Sequence, residues 1–277
     1  MIPVAFEYRK AQTVEDAIGL LSGGETKLLA GGYSLLPSMK LRLNQPSKLI
    51  DISNIPSLKG IKEENGNVII NAGTTHYEIG HHEIIKKHLP FFVDAVHVIG
   101  DVQVRNRGTI GGSLAHADPA ADWPALVLAA EAIIEVMGRG GIRSIPANEF
   151  FTGLFSTQIK EDEIITAIRV PIPRESSKMA YLKFSHPASR FAIVGCAVIR
   201  FPGDKTNIAF TGIADTPFRD YAAEQAVSGK SLDLASIESA LSVAVNVENL
   251  LSDNFASQSY RKHLAKVYLK RALQLVV

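Results

Sequence analysis

Residues 103–122 read QVRNRGTIGGSLAHADPAAD. At its centre Thr109-Ile110-Gly111-Gly112-Ser113 sets two glycines between a β-branched residue and a hydroxyl. Paired glycines let a backbone turn sharply and let a ligand approach the amide N–H groups with no Cβ in the way. Successive N–H groups pointing one way form an anion nest suited to a pyrophosphate, and the Ser113 hydroxyl can bond a phosphate oxygen. The pattern predicts an irregular loop over Arg105–Ser113. Just beyond it His116, Asp118 and Asp122 share one polar stretch. A carboxylate there can accept a ribose hydroxyl. Asp122 can also cap the helix expected to begin near Trp123-Pro124. Of the histidines, His116 is the one that falls in the glycine-rich segment, where fixing the backbone is as good a reading as chemistry.

The same logic recurs upstream. The apolar run Lys27-Leu28-Leu29-Ala30 leads into Ala30-Gly31-Gly32-Tyr33-Ser34-Leu35. Either stretch alone reads as an ordinary Gly-Gly turn. Two such loops with hydroxyls argue for a diphosphate ligand better than one does.

Outward from these loops, 13–22 reads as a helix with Thr13 as its N-cap, Glu15 and Asp16 in the first turn, and Val14, Ala17, Ile18 and Leu21 on one face. Strands are expected at 27–30, 49–52 and 68–72, and helix over 75–99 in two pieces broken at Pro90. Further strands are expected at 133–137, 142–145 and 163–170. Pro171, Pro173 and the polar residues to Lys178 mark a domain boundary. Beyond it come three β-rich runs (179–185, 191–201, 207–214), then helices near 219–228, 235–250 and 257–275. Strands followed by helices indicate an α+β domain with an antiparallel sheet.

Composition excludes several function classes. The chain has 277 residues and one cysteine, Cys196. One cysteine makes no internal disulfide and cannot supply an iron–sulfur cluster, which takes about four thiolates. Lys+Arg is 29 and Asp+Glu 28, a net charge of +1, too small a bias to point to nucleic acid. No run approaches the ~18 apolar residues of a membrane span, and the opening lacks a signal-peptide pattern. The expected compartment is the cytoplasm. No GxGxxG occurs, because Arg143 stands at the third glycine of the Gly138 stretch. Gly229-Lys230-Ser231 has Glu224 where a P-loop begins. His82-Glu83 is followed by Lys86, so HExxH fails, and His81, His82 and His88 read as a solvated helix face. Cys196, inside an apolar run, reads as a buried thiol.

The two loops carry a resemblance. AGGYSLLPSMKLRL at 30–43 and QVRNRGTIGGSLAHADPAAD at 103–122 resemble the two flavin-binding motifs of the FAD subunits of molybdenum hydroxylases. The likeness is nearest to the medium subunits of carbon monoxide and aldehyde dehydrogenases, with the FAD domain of xanthine dehydrogenase related. It extends through MIPVAFEYRKAQTVEDAIGLL, EFFTGLFSTQIKEDEIITAIRVP and YLKFSHPASRFAIVGCAV. The resemblance implies an α+β, vanillyl-alcohol-oxidase (PCMH) type fold. Two α/β lobes, roughly 1–55 and 56–174, hold an extended FAD. A C-terminal domain, 175–277, with a three-stranded antiparallel sheet and helices covers the flavin end. Carried over by motif, the FAD contacts are Ala30, Gly31, Gly32, Tyr33, Ser34 and Leu35, then Thr109, Ile110, Gly111, Gly112, Ser113 and His116. Asp122 matches a carboxylate near the ribose, Ile165 an apolar residue lining the flavin, and Lys183 a lysine near its ring, which makes Lys183 the candidate for tuning the flavin. Tyr33 stands where His or Gln is common. Arg190 stands where many relatives carry Asp or Gly.

The resemblance also implies partners: a small subunit with two [2Fe–2S] clusters and a large molybdopterin subunit, assembled as a dimer of heterotrimers. The flavin then takes electrons from the clusters and passes them to an outside acceptor, after carbon monoxide, an aldehyde or an N-heterocycle is oxidised on the large subunit. Two other readings stand beside it: a self-sufficient flavin enzyme of the same fold, and a flavin-free scaffold. The first lacks a visible catalytic constellation, and the second gives no reason for two glycine loops.

Overall fold

The computed structural model of the chain describes residues 1–21 and 25–277. The first layer is β1 (Glu7–Lys10), α1 (Val14–Leu20), β2 (Thr26–Leu29), α2 (Leu35–Lys40) and β3 (Lys48–Asp51). Its strands form a parallel sheet in the order β1-β3-β2. Thr13 caps α1 by accepting from Asp16 N at 3.0 Å, and Val14, Ala17 and Ile18 are buried. Ser22, the end of the helix expected from the sequence, lies outside the described residues. The pattern missed β1, all four of whose residues are exposed and so show no alternation.

The second layer holds β4 (Ile61–Glu64), β5 (Asn67–Asn71), α3 (His76–His81), α4 (Glu83–His88), α5 (Pro90–Val98), α6 (Val102–Arg107), α7 (Ile110–His116) and α8 (Trp123–Ala129). It continues with β6 (Ile133–Gly138), β7 (Gly141–Pro146), α9 (Ala147–Phe150), β8 (Phe151–Gly153), β9 (Ser156–Thr157) and β10 (Ile164–Pro171). The sheet is antiparallel, five-stranded, in the order β4-β5-β10-β6-β7, while β8 and β9 form a separate hairpin. Val68, Ile70, Ile134, Val136 and Ile168 alternate onto one face and bury Phe91, Phe92, Trp123 and Leu126. Two expectations are corrected. Residues 75–99 hold three helices, because His82, extended at φ −80° and ψ 130°, ends α3 and caps α4 with Nδ1. Pro90 opens α5 at its first turn, where its missing N–H costs nothing. The expected loop 105–113 is mostly helical, since Asp101 caps α6 and Thr109 caps α7.

The third layer is β11 (Lys178–Ser185), β12 (Ala192–Arg200), β13 (Thr206–Thr211), β14 (Phe218–Arg219), α10 (Tyr221–Val227), α11 (Leu234–Val243) and α12 (Gln258–Leu275). The antiparallel sheet has four strands in chain order, not three, because the two-residue β14 pairs with β13. Helix α11 stops at Val243, short of the expected 250. Every residue of β12 is buried. Ala197 and Ile199 face the core of the second layer, while Cys196 and Val198 face α10–α12. Bonds across this junction fix residues 119–121. Ala192 N donates to Ala120 O at 2.9 Å, and the Thr211 hydroxyl lies 2.7 Å from both Pro119 O and Ala121 O. No helix among the described residues is long and apolar enough to cross a membrane.

Candidate functional site

A cleft of about 1340 Å³ runs between the first and second layers and ends under residues 189–191 of the third. It exceeds the roughly 300–1,000 Å³ of sites for drug-sized ligands and suits an extended one. The segment joining β2 to α2 forms one wall. Gly32 turns it at φ +83°. Gly31 has another duty: a Cβ there would lie 2.2 Å from Arg107 O and 2.8 Å from Gly108 Cα. The first glycine loop therefore rests directly on the backbone that leads into the second.

The two loops differ in whether their N–H groups have protein acceptors. The N–H groups of Gly31, Gly32, Tyr33 and Ser34 have no protein acceptor among the described residues. Four successive donors without a protein acceptor along a cleft wall are the material of an anion nest. In the second loop Ile110 N donates to Thr74 O at 3.2 Å, Gly111 N to Ala72 O at 2.9 Å, Gly112 N to Thr109 Oγ1 at 3.1 Å and Ser113 N to Thr109 O at 3.0 Å. Its glycines serve close packing, since a Cβ on Gly111 would lie 2.5 Å from Ala72 Cβ. The second nest anticipated from the sequence is thus closed by the end of β5 and by its own cap. What this loop still offers the cleft is the Ser113 side chain and the open face of Gly112.

Ala30, Gly31, Gly32, Tyr33, Ser34, Leu35, Thr109, Gly111, Gly112, Ser113, His116, Asp122 and Ile165 all line the cleft. Ile110 is fully buried in the core behind it. Lys183 is not part of the wall either. Its side chain is buried behind Asp122, with Nζ 2.8 Å from Asp122 Oδ2. The Tyr181 hydroxyl donates to Asp122 Oδ1 at 2.6 Å. Burial raises the Asp122 carboxyl above its ordinary value, while Lys183 and Tyr181 act in the opposite sense. Asp122 occupies the N-cap position of α8 but makes no capping bond, because both oxygens are engaged by β11. Any effect of Lys183 on a ligand passes through Asp122.

Cations collect at the C-terminal end of α5. Lys183 donates to Val98 O at 3.0 Å, Arg105 to Ile99 O at 2.9 Å and to Gly100 O at 3.2 Å, and Arg190 to Gly100 O at 3.2 Å. The negative end of the helix dipole holds them together, and of the three Arg190 lines the cleft. Arg190 sits in the left-handed region at φ +59°, uncommon for a side-chain-bearing residue. Its loop is tied by His186 Nδ1, which accepts from Ala188 N and Ser189 N. His76 and Trp123 also line the cleft, and neither was singled out by motif. For His76 the sequence held no signal to find: it follows Thr74-Thr75 at the head of a capped helix, a pattern with no ligand signature.

The cleft fits a dinucleotide diphosphate: N–H donors with no acceptor among the described residues for the anion, no room for a Cβ at Gly31, and Arg190 at one end. Comparisons with known proteins agree. A family model described as the FAD binding domain in molybdopterin dehydrogenase matches residues 4–173, and one described as the CO dehydrogenase flavoprotein C-terminal domain matches residues 179–276. The chain is 39% identical over 279 residues to the carbon monoxide dehydrogenase medium chain of Hydrogenophaga pseudoflava, covering 99% of this chain and 97% of that one. It is 35% identical over 281 residues to the glyceraldehyde dehydrogenase medium chain of Sulfolobus acidocaldarius, covering 100% of both. Its structure superposes on a chain of the H. pseudoflava carbon monoxide dehydrogenase that lacks the Mo-pyranopterin moiety of its cofactor, with a TM-score of 0.96 and 41% identity over 100% of this chain and 98% of that one.

Proposed function

The chain belongs to the FAD-binding subunits of the molybdopterin dehydrogenase family, and from that premise we propose that it relays electrons between subunits. It accepts them from [2Fe–2S] clusters on a partner and delivers them to an external acceptor, after a molybdopterin subunit has oxidised carbon monoxide, an aldehyde or an N-heterocycle. The bound FAD supplies the redox chemistry, taking electrons singly and releasing them in pairs.

The chain's own residues bind and orient. The free N–H groups of Gly31–Ser34 neutralise the diphosphate. The second loop braces the first, and the hydroxyl of Ser113 adds a polar contact. Asp122 presents a carboxylate to the cleft, held in place by Tyr181 and Lys183, while Ile165 offers an apolar surface. The division into 1–174 for the dinucleotide and 175–277 as its cover belongs to the same proposal, supported by the ranges of the two matching models. Cys196 is fully buried, and burial pushes its thiol up. It is the chain's one cysteine, so the clusters must lie on another chain. The assembly we propose, by resemblance to the family, is a dimer of heterotrimers with the small iron–sulfur and large molybdopterin subunits.

The observation that carries the proposal is the run of four free donors against a glycine too tightly placed for any side chain. The chain purified alone is expected to bind FAD, and its flavin to be reduced by substrate only after both partner subunits are added. Reduction by substrate with the chain alone, or a colourless chain that refuses FAD, contradicts the relay.

A further inference from the structure

His76 lies outside both glycine loops. Its imidazole is 5% exposed, and it lines the cleft. The Trp123 indole donates from Nε1 to His76 Nδ1 over 3.0 Å. An indole N–H is a donor only, so Nδ1 is the acceptor and a neutral ring carries its proton on Nε2. The ring is neutral: burial, with the Arg105 charge acting in the same sense, lowers its pKa to about 3. The Nε2–H makes no hydrogen bond among the described residues. It stands over Gly108, where an added Cβ would lie 2.7 Å from Nε2. Gly108 Cα is in turn the atom against which Gly31 rests. A donor of fixed tautomer therefore stands without a partner where the two glycine loops meet. Ser177 Oγ and Arg261 Nε are the buried side-chain atoms left without a partner among the described residues, and His76 Nε2 is not one of them; it opens to the cleft, where a ligand oxygen can take the place of water.

We infer that His76 is a binding residue of the cleft: its Nε2–H donates to an oxygen of the bound dinucleotide, with Trp123 as the positioning residue that fixes the tautomer. This rests on the reading of the cleft as the FAD site. A neutral donor here adds direction to the contact without adding charge to the cations already gathered at the end of α5.

The test uses the full chain with FAD as the probe. With histidine-selective 15N labelling, one imidazole is expected to show an unprotonated Nδ1 and a protonated Nε2 before FAD is added. On saturation with FAD, exchange of that Nε2 proton with water is expected to slow at least about tenfold. His76→Gln keeps an acceptor for Trp123 and a donor for the cleft, and is expected to bind FAD within about threefold of the natural chain. His76→Phe is expected to bind about tenfold more weakly, the loss of one hydrogen bond. Unchanged exchange of the Nε2 proton at saturating FAD overturns the inference, as does a folded His76→Phe chain with undiminished FAD affinity. If His76→Phe fails to fold, the exchange measurement on the natural chain decides. A natural chain that binds no FAD overturns the cleft reading and this inference together.

Discussion

Gly31-Gly32 and Gly111-Gly112 look alike in sequence and do different work. The first pair sits where the chain leaves a parallel strand, and its N–H groups and those of Tyr33 and Ser34 meet no acceptor among the described residues. The second pair opens a helix whose first four N–H groups are all engaged, by the end of β5 and by Thr109. One loop is a binding surface and the other a brace. A Gly-Gly-hydroxyl motif reports that two backbones approach closely. It does not report whether the approaching group is a ligand or the protein itself.

Substitutions break that comparison at graded cost. Gly31→Val forces the two loops apart and is expected to abolish measurable FAD binding, a loss of at least about a hundredfold, because the contact with Arg107 O leaves no room for a side chain. Isothermal titration reads it directly. Acidification is next in size. The unfolded imidazole takes up a proton near pH 6.5 whereas folded His76 does so near 3, so the unfolded chain binds more protons between those values. The stability from this group is complete above about pH 6.5 and is lost as pH falls. Denaturant titration of the FAD-free chain should show the natural protein losing about 1.6 kcal/mol more than His76→Gln between pH 6.5 and 5, the slope rising toward about 1.4 kcal/mol per pH unit below the unfolded pKa. An equal loss in both chains would falsify the buried neutral ring.

The brace should respond in stability more than in specificity. Gly111→Ala overpacks the contact with Ala72 and is expected to cost about 1–3 kcal/mol in denaturant unfolding of the FAD-free chain. Thr109→Ala removes the α7 cap and is expected to cost about 1 kcal/mol, with FAD affinity reduced only a fewfold. A large, selective loss of FAD binding with unchanged stability in either variant would make the second loop a direct ligand surface instead.

Much of the strand framework was legible, because β5, β6, β10, β12 and β13 carry apolar runs long enough to show their burial. The exposed β1, the two-residue β14 and the break at His82 were not, since none changes the hydrophobic pattern. Of the site, the glycine loops and Asp122 were visible as motifs. Whether their N–H groups are engaged was not, because it depends on partners such as Thr74 O and Ala72 O, 36 and 39 residues from Ile110 and Gly111 in the chain. Lys183 carried a resemblance that put it near the ring. Only the fold shows Asp122 standing between it and the cleft. His76 had no signal at all, because its role comes from an indole 47 residues distant.

Backbone amide hydrogen exchange with and without FAD tests the division of labour between the loops most directly. FAD is expected to slow exchange at Gly31, Gly32, Tyr33 and Ser34, which are unprotected beforehand. Ile110, Gly111, Gly112 and Ser113 are expected to be already slow and to change little. New protection at 110–113 with none at 31–34 would contradict that division.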